Sequence, residues 1–210
     1  MKIAEQLVAT LPVGESGLFN PWKERCAFDS PFNAPEARLE RLARHLDCNA
    51  KLILVGEAPG YQGCRYSGIA FTSERLLLEG AIPRIDRIDH RLSTRERPFS
   101  EPSATIVWKA LYQYGVAEET ILWNAMQLHP FMENNEWSNR TPTDDEIRLG
   151  SKALKLLRES FQEAVMVAVG RKAEAAMAQI GIQTNAAIRH PANGGAREFT
   201  EGLGKALRGA

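Results

Sequence analysis

The chain has 210 residues, 44% hydrophobic and 25% charged, a globular composition that excludes a disordered or fibrous protein. Twenty-six basic residues balance 26 acidic ones, which excludes a polyelectrolyte mode of nucleic-acid binding but leaves room for a small local footprint. No apolar run approaches the ~20 residues of a membrane helix, and Met1-Lys2-Ile3-Ala4-Glu5-Gln6 lacks the pattern of a secretory leader, so a monomeric, cytoplasmic protein made of one domain, 1–210, is expected.

A short amphipathic start (Ile3, Leu7, Val8) leads into a loop-rich stretch from Pro12 to Pro35. Glu36–Leu46 carries Leu39, Leu42 and Leu46 on one face at helical spacing. Lys51-Leu52-Ile53-Leu54-Val55 is a continuous apolar run closed by Gly56, the pattern of a strand buried on both faces. Three further strands are predicted at Thr120–Trp123, Ala164–Val169 and Ala186–Arg189. Helices are predicted at Ser103–Tyr114, at Asp144–Ser160 behind a capping box (Thr143, Glu146), at Lys172–Ile180 and at Arg197–Leu207. Strands alternating with helices point to an α/β fold, a three-layer α/β/α sandwich around a mostly parallel four-stranded sheet. Ligands of such sheets sit beyond the carboxyl ends of the strands, so chemistry is sought after Val55, Trp123, Val169 and Arg189.

Gly56-Glu57-Ala58-Pro59-Gly60 follows the first strand, and the loop runs on through Gly63, Arg65, Gly68 and Phe71 to Glu74. Its glycines permit close approach of the backbone to a ligand. It is neither a nucleotide-hydrolase phosphate loop nor a dinucleotide fingerprint, because Gly-Lys-Ser/Thr and G-x-G-x-x-G are both absent. An acid, an arginine and an aromatic on such a loop suit a pocket for a flat polar ring; an ordinary tight connection is the plainer reading. Asn124, after the second strand, is either a turn residue or an amide that reads the edge of a base. After the fourth strand, His190 is fixed by Pro191 and followed by the mobile-looking Asn193-Gly194-Gly195, with Arg197 at its tip. Cys26, Cys48 and Cys64 form no C-x-x-C and read as free thiols.

Together these segments resemble the uracil-DNA glycosylase superfamily. Gly56 to Gly60 is similar to its first motif, Arg65 to Glu74 to the continuation reaching the base-stacking phenylalanine, and His190-Pro191-Ala192 to its second motif, usually His-Pro-Ser. The resemblance spans about Leu52 to Leu207. It implies hydrolysis of the bond joining uracil to deoxyribose in single- or double-stranded DNA, on a nucleotide flipped out of the stack, with no metal or cofactor. Branches with the Gly-Glu-Ala-Pro-Gly motif often carry a four-cysteine iron–sulfur cluster, and three cysteines cannot supply one. By the same resemblance Phe71 stacks on the base, Asn124 reads it, and Gly56, Ala58, Pro59 and Gly60 line its pocket. His190 stabilises the departing base, with His129 ranked behind it. The acid that activates water lies between Glu57, the first choice, and Glu74. Tyr61 and Tyr66 are the candidates for excluding the methyl group of thymine. Arg65, Arg189, Asn193 and Arg197 are expected to contact DNA, as are backbone amides of a helix beginning near Ser73. The five arginines between Arg84 and Arg97 are either a solvated insertion or a further DNA contact. Ala58 and Ala192, where aspartate and serine are usual, also leave open a catalytically silent module that binds damaged bases or DNA.

Overall fold

The apolar run at residues 51–55 becomes strand β2 (Leu52–Gly56), all five residues of which are buried. It lies between β3 (Thr120–Asn124) and β5 (Val165–Val169), and β6 (Ala186–Ile188) pairs on the far side of β5, giving a fully parallel sheet of order β3-β2-β5-β6. A separate antiparallel pair, β1 (Leu18–Phe19) with β4 (His129–Pro130), stands outside it. These coordinates, a computed structural model, describe residues 2–209.

Side chains on a strand alternate between faces, and β2 feeds two cores accordingly. Ile53 and Val55 pack with Ile121, Trp123, Met166 and Ala168 against helices α1 (Lys2–Ala9), α2 (Pro35–Leu46), α7 (Ser151–Ser160) and α8 (Arg171–Gln179). Leu52 and Leu54 pack with Leu122, Val167 and Val169 against α4 (Glu74–Leu78), α5 (Pro102–Gln113) and α9 (Ala196–Arg208). The result is the three-layer α/β/α sandwich expected. The remaining helices are α3 (Cys64–Ser67) and α6 (Asp144–Leu149), the latter opened by the Thr143–Glu146 capping box. The expected helix over 144–160 is therefore two helices that break at Gly150, where a side chain would collide with Ala125 O and Gln127 Oε1. No helix among the described residues is long and apolar enough to cross a membrane.

The chain leaves β2 for β3 on one side and returns to β5 on the other, so the connections diverge above the carboxyl ends of β2 and β5. Open parallel sheets bind ligands at such a switch point. Here that crevice lies between Glu57 and Gly170-Arg171-Lys172.

Two imidazoles are buried inside this frame. His45 Nε2 accepts the Leu122 N–H of β3 at 2.9 Å, and His129 is held between Arg65 and Ser138. Burial, reinforced by Arg84 and Arg65 respectively, lowers each pKa from 6.5 to about 3. The unfolded chain therefore binds protons between pH 6.5 and 3 that the native chain does not. Each group should remove stability as pH falls through that window, by up to about 1.4 kcal/mol per pH unit. Urea denaturation at pH 7, 5.5 and 4.5 should show a steadily falling midpoint; a constant midpoint would contradict this.

Candidate active site

In the β2–β3 register Gly56 pairs with Asn124, so the two strands end side by side. A Cβ at Gly56 would lie 2.7 Å from Asn124 Oδ1 and 2.7 Å from Phe71 Cζ, closer than real Cβ contacts come. Glycine is thus what lets the amide and the ring close over the strand end. Phe71 has φ +49°, a left-handed backbone costing roughly 1–3 kcal/mol for such a residue. Its ring reaches His190, with centroids 6.1 Å apart. An open cleft of about 990 Å³ lies over these groups, lined by Glu57, Phe71, Asn124 and His190 among others.

The protonation states follow from geometry. The Ala192 N–H donates to His190 Nδ1 at 3.1 Å, so the neutral ring carries its proton on Nε2. Burial, with Arg189 adding to it, lowers the His190 pKa and keeps the ring neutral. Burial raises the pKa of Glu57, while Lys172, whose Nζ lies 3.8 Å from Glu57 Oε1, pulls it back. The Asn124 side-chain amide has no hydrogen-bond partner among the described residues; only the main-chain carbonyl of Asn124 accepts, from Gln127 Nε2 at 2.7 Å. The cleft therefore presents a carboxylate, an unpaired amide, an aromatic face and a neutral N–H donor.

Residues 43–204 match the family model described as the uracil DNA glycosylase superfamily. The chain belongs to that superfamily. In fold it is similar to the crystal structure of wild-type SMUG2 from Pedobacter heparinus, with a TM-score of 0.64, 15% identity and 99% of each chain covered. No curated protein matches it in sequence.

Of the residues that the superfamily resemblance singles out, Glu57, Ala58, Pro59, Gly60, Phe71, Asn124, Arg189, His190 and Asn193 line one cleft, with Gly56 beneath. Glu74 does not. It is fully buried, and its oxygens accept from Arg91 Nε (2.6 Å), Leu92 N (2.8 Å), Ser93 Oγ (2.9 Å) and Phe99 N (2.9 Å). Burial opposes its charge, but these hydrogen bonds prevail and hold its pKa below the usual value. No lone pair is left to position a water; Glu74 ties down the loop over 91–99. Arg65 is corrected likewise: it is 1% exposed, lies 4.0 Å from the Phe19 ring centroid and bonds His129 Nδ1 and Glu136 Oε2, out of reach of a phosphate.

The helix at Ser73 has five residues, and in its first turn the Arg75 amide is spent on Phe99 O and the Leu76 and Leu77 amides on Ser73 O, so these three are not available to DNA. His129, bonded at both nitrogens, is structural. Tyr66 is buried against Cys26, Phe99 and Trp137, Tyr61 packs on Phe99, and neither lines the cleft. Arg197 is 87% exposed, pairs with Glu201 and stands outside the cleft. Within the 84–97 segment, Arg84 caps carbonyls at the start of β3, Arg87 bonds Leu78 O, and Arg95 lies over Phe99. The three thiols do not come together, and no cluster of three or more metal-binding side chains exists among the described residues, so these residues do not fit an iron–sulfur centre.

The cleft also contains residues that sequence reasoning passed over: Glu101 and Ser103 at the start of α5, Asn139 and Arg140, and Arg171 and Lys172 after β5. The last two stand directly behind a strand end, where the rule for parallel sheets already pointed. The contrast between the two acids is testable by chemical denaturation. Glu74→Ala should cost roughly 3–5 kcal/mol by leaving Arg91 and backbone amides unpaired. Glu57→Gln, at a half-buried position, should stay within about 0.5 kcal/mol. Equal effects would refute the division of roles.

Proposed function

We propose that the protein is a monofunctional DNA glycosylase that hydrolyses the N-glycosidic bond of uracil, or of a related deaminated base, in DNA and so initiates base-excision repair. The observation that carries this reading is the convergence of Glu57, Phe71, Asn124 and His190 on one cleft at the switch point of the sheet. A base flipped from the stack lies on Phe71, a contact worth roughly 1–3 kcal/mol. The Asn124 amide accepts from uracil N3–H and donates to O4, a pattern that cytosine reverses.

As the glycosidic bond breaks, its electron pair leaves with the base and positive charge grows on the sugar. His190 Nε2–H donates to O2 and stabilises the departing anion without giving up its proton. The Glu57 carboxylate stabilises the sugar cation and orients the water that adds to it. Arg171, Lys172 and Arg189 on the rim suit DNA phosphates, and Asn193 at the lip suits the space vacated by the base. The protein acts as a cytoplasmic monomer of one domain on this reading.

The test is release of uracil from single- and double-stranded oligonucleotides, scored by alkaline cleavage at abasic sites. His190→Ala should lower kcat roughly 10²–10³-fold, and Glu57→Gln roughly 10²–10⁴-fold, both with native circular dichroism. Since Glu57 must be ionised and its pKa is raised, the acid limb of kcat/KM should fall above pH 4.5. No release from uracil, hypoxanthine or xanthine substrates would refute the reading. Tight binding to uracil or abasic DNA without release would favour the silent module that Ala58 and Ala192 suggest.

A further inference from the structure

A second hollow shares a loop with the cleft, and nothing in the proposed reaction uses it. The loop after β4 leaves at Phe131 and returns at Arg140, whose N–H donates to Pro130 O at 3.2 Å. One limb of this loop, Asn139 and Arg140, lines the cleft. The other, Phe131 and Asn134 to Trp137, forms with Phe28 an open hollow of about 520 Å³. The Phe28 and Trp137 rings meet with centroids 4.5 Å apart, and the Trp137 Nε1–H donates to Tyr66 Oη at 2.9 Å, which fixes the indole. Five large apolar side chains are exposed among the described residues, and three of them, Phe28, Phe32 and Met132, belong to the two segments that form the hollow. Arg95, from the arginine-rich 84–97 segment, lies over the Trp137 ring at 5.6 Å. Glu136 is the one acid in the lining: Arg65 Nη2 and the Cys26 thiol donate to its Oε2 at 2.6 and 3.0 Å, and its Oε1 accepts nothing among the described residues.

Aromatic faces with a few polar groups between them are how proteins hold an unstacked nucleobase. An apolar peptide side chain would leave the Asn134 and Asn135 amides and Glu136 Oε1 without partners, whereas the edge of a base engages them. We propose that the hollow binds one unpaired base of the strand that carries the target, and that Glu136 makes it prefer bases with an exocyclic amino group over thymine. The choice of strand rests on the glycosylase reading above; the base site itself does not. The Arg95 guanidinium supplies a cation for an adjoining phosphate, and Arg65, paired with Glu136 from within, offsets the charge that would repel the strand. Both asparagine amides donate and accept, so they do not discriminate, but Glu136 Oε1 only accepts. Thymine offers it a single N–H between two carbonyl oxygens, which a carboxylate repels. An amino group at ring position 4 replaces one of those oxygens with N–H donors.

Binding is read from tryptophan fluorescence with single-stranded homopolymers that contain no uracil. Trp22, Trp108 and Trp123 are at most 4% exposed, so quenching by a stacked base reports on Trp137. Tracts of 5-methylcytosine and of thymine share the methyl group and differ in the amino group against the carbonyl at position 4, with the matching change at N3. Both should quench, the 5-methylcytosine tract with a Kd roughly tenfold lower, the scale of one hydrogen bond to a charged acceptor. Phe28→Ala, at a position 38% exposed, should weaken both roughly fivefold or more. Glu136→Gln should bring the two tracts within about threefold of each other. Equal affinities in the native protein, or binding undiminished in Phe28→Ala, overturns the proposal. Absence of quenching by either tract does so too, and leaves the hollow to a protein partner. If Glu136→Gln, which alters the partner of the buried Arg65, is unfolded by circular dichroism, the native ratio and Phe28→Ala still decide. With uracil placed between such tracts, KM should follow the same order at constant kcat. Quenching without any uracil release refutes the glycosylase reading while the base site stands.

Discussion

The cleft exists because β2 ends on a residue without a side chain. Parallel pairing puts Gly56 beside Asn124, and the volume that any Cβ would fill at residue 56 is already taken by the Asn124 amide oxygen and the edge of Phe71. Three groups from three separate segments therefore meet within one strand spacing. Phe71 reaches that spot with a left-handed backbone, and the loop behind it must be held firmly enough to keep it there. Much of the polar interior serves that requirement.

Glu74 gathers the 91–99 loop against the start of α4, one residue beyond Ser73 and three beyond Phe71. Arg65 does the equivalent on the other flank. It is sandwiched against Phe19 and bonded to His129, whose Nε2–H reaches Ser138 O and Asn139 Oδ1. Asn139 in turn accepts the Tyr61 N–H and lines the cleft. Buried charges of this kind contribute little net stability when paired, but removing one partner is costly. What they confer is a fixed position for the loop between Gly60 and Phe71, on which the pocket wall depends.

The sheet was legible because its strands are short apolar runs bounded by glycine or a turn, and the observed ends lie within a residue or two of those expected. The two-residue strands β1 and β4 carry no periodicity and left no signal. Asn124, Glu57 and His190 could be found since each follows a strand, where a parallel sheet exposes its carboxyl ends. The same logic applied to Gly170-Arg171-Lys172. Glu74 and Arg65 misled because they share a glycine-rich loop with true cleft residues, and sequence does not say which side chains of a loop point inward. Glu101 was invisible for the opposite reason: it precedes a helix, and only the packing of α5 against the sheet carries it to Gly63.

Two carboxyl groups in one cleft would ordinarily compete for the same role. Their surroundings separate them. Burial raises the pKa of both, yet Glu57 has the Lys172 ammonium 3.8 Å away, which restores part of its acidity, whereas Glu101 has only the Ser103 hydroxyl. A carboxyl with a cation beside it is suited to remaining ionised where positive charge develops; one without is suited to neutral hydrogen bonding, since nothing nearby compensates its charge. Lys172 also bonds Thr141 Oγ1 at 2.6 Å. The difference between the two acids is therefore set outside them, by the first turn of α8 in one case and by the first turn of α5 in the other. On the glycosylase reading, Lys172 thus keeps charge on Glu57, the acid placed at the sugar.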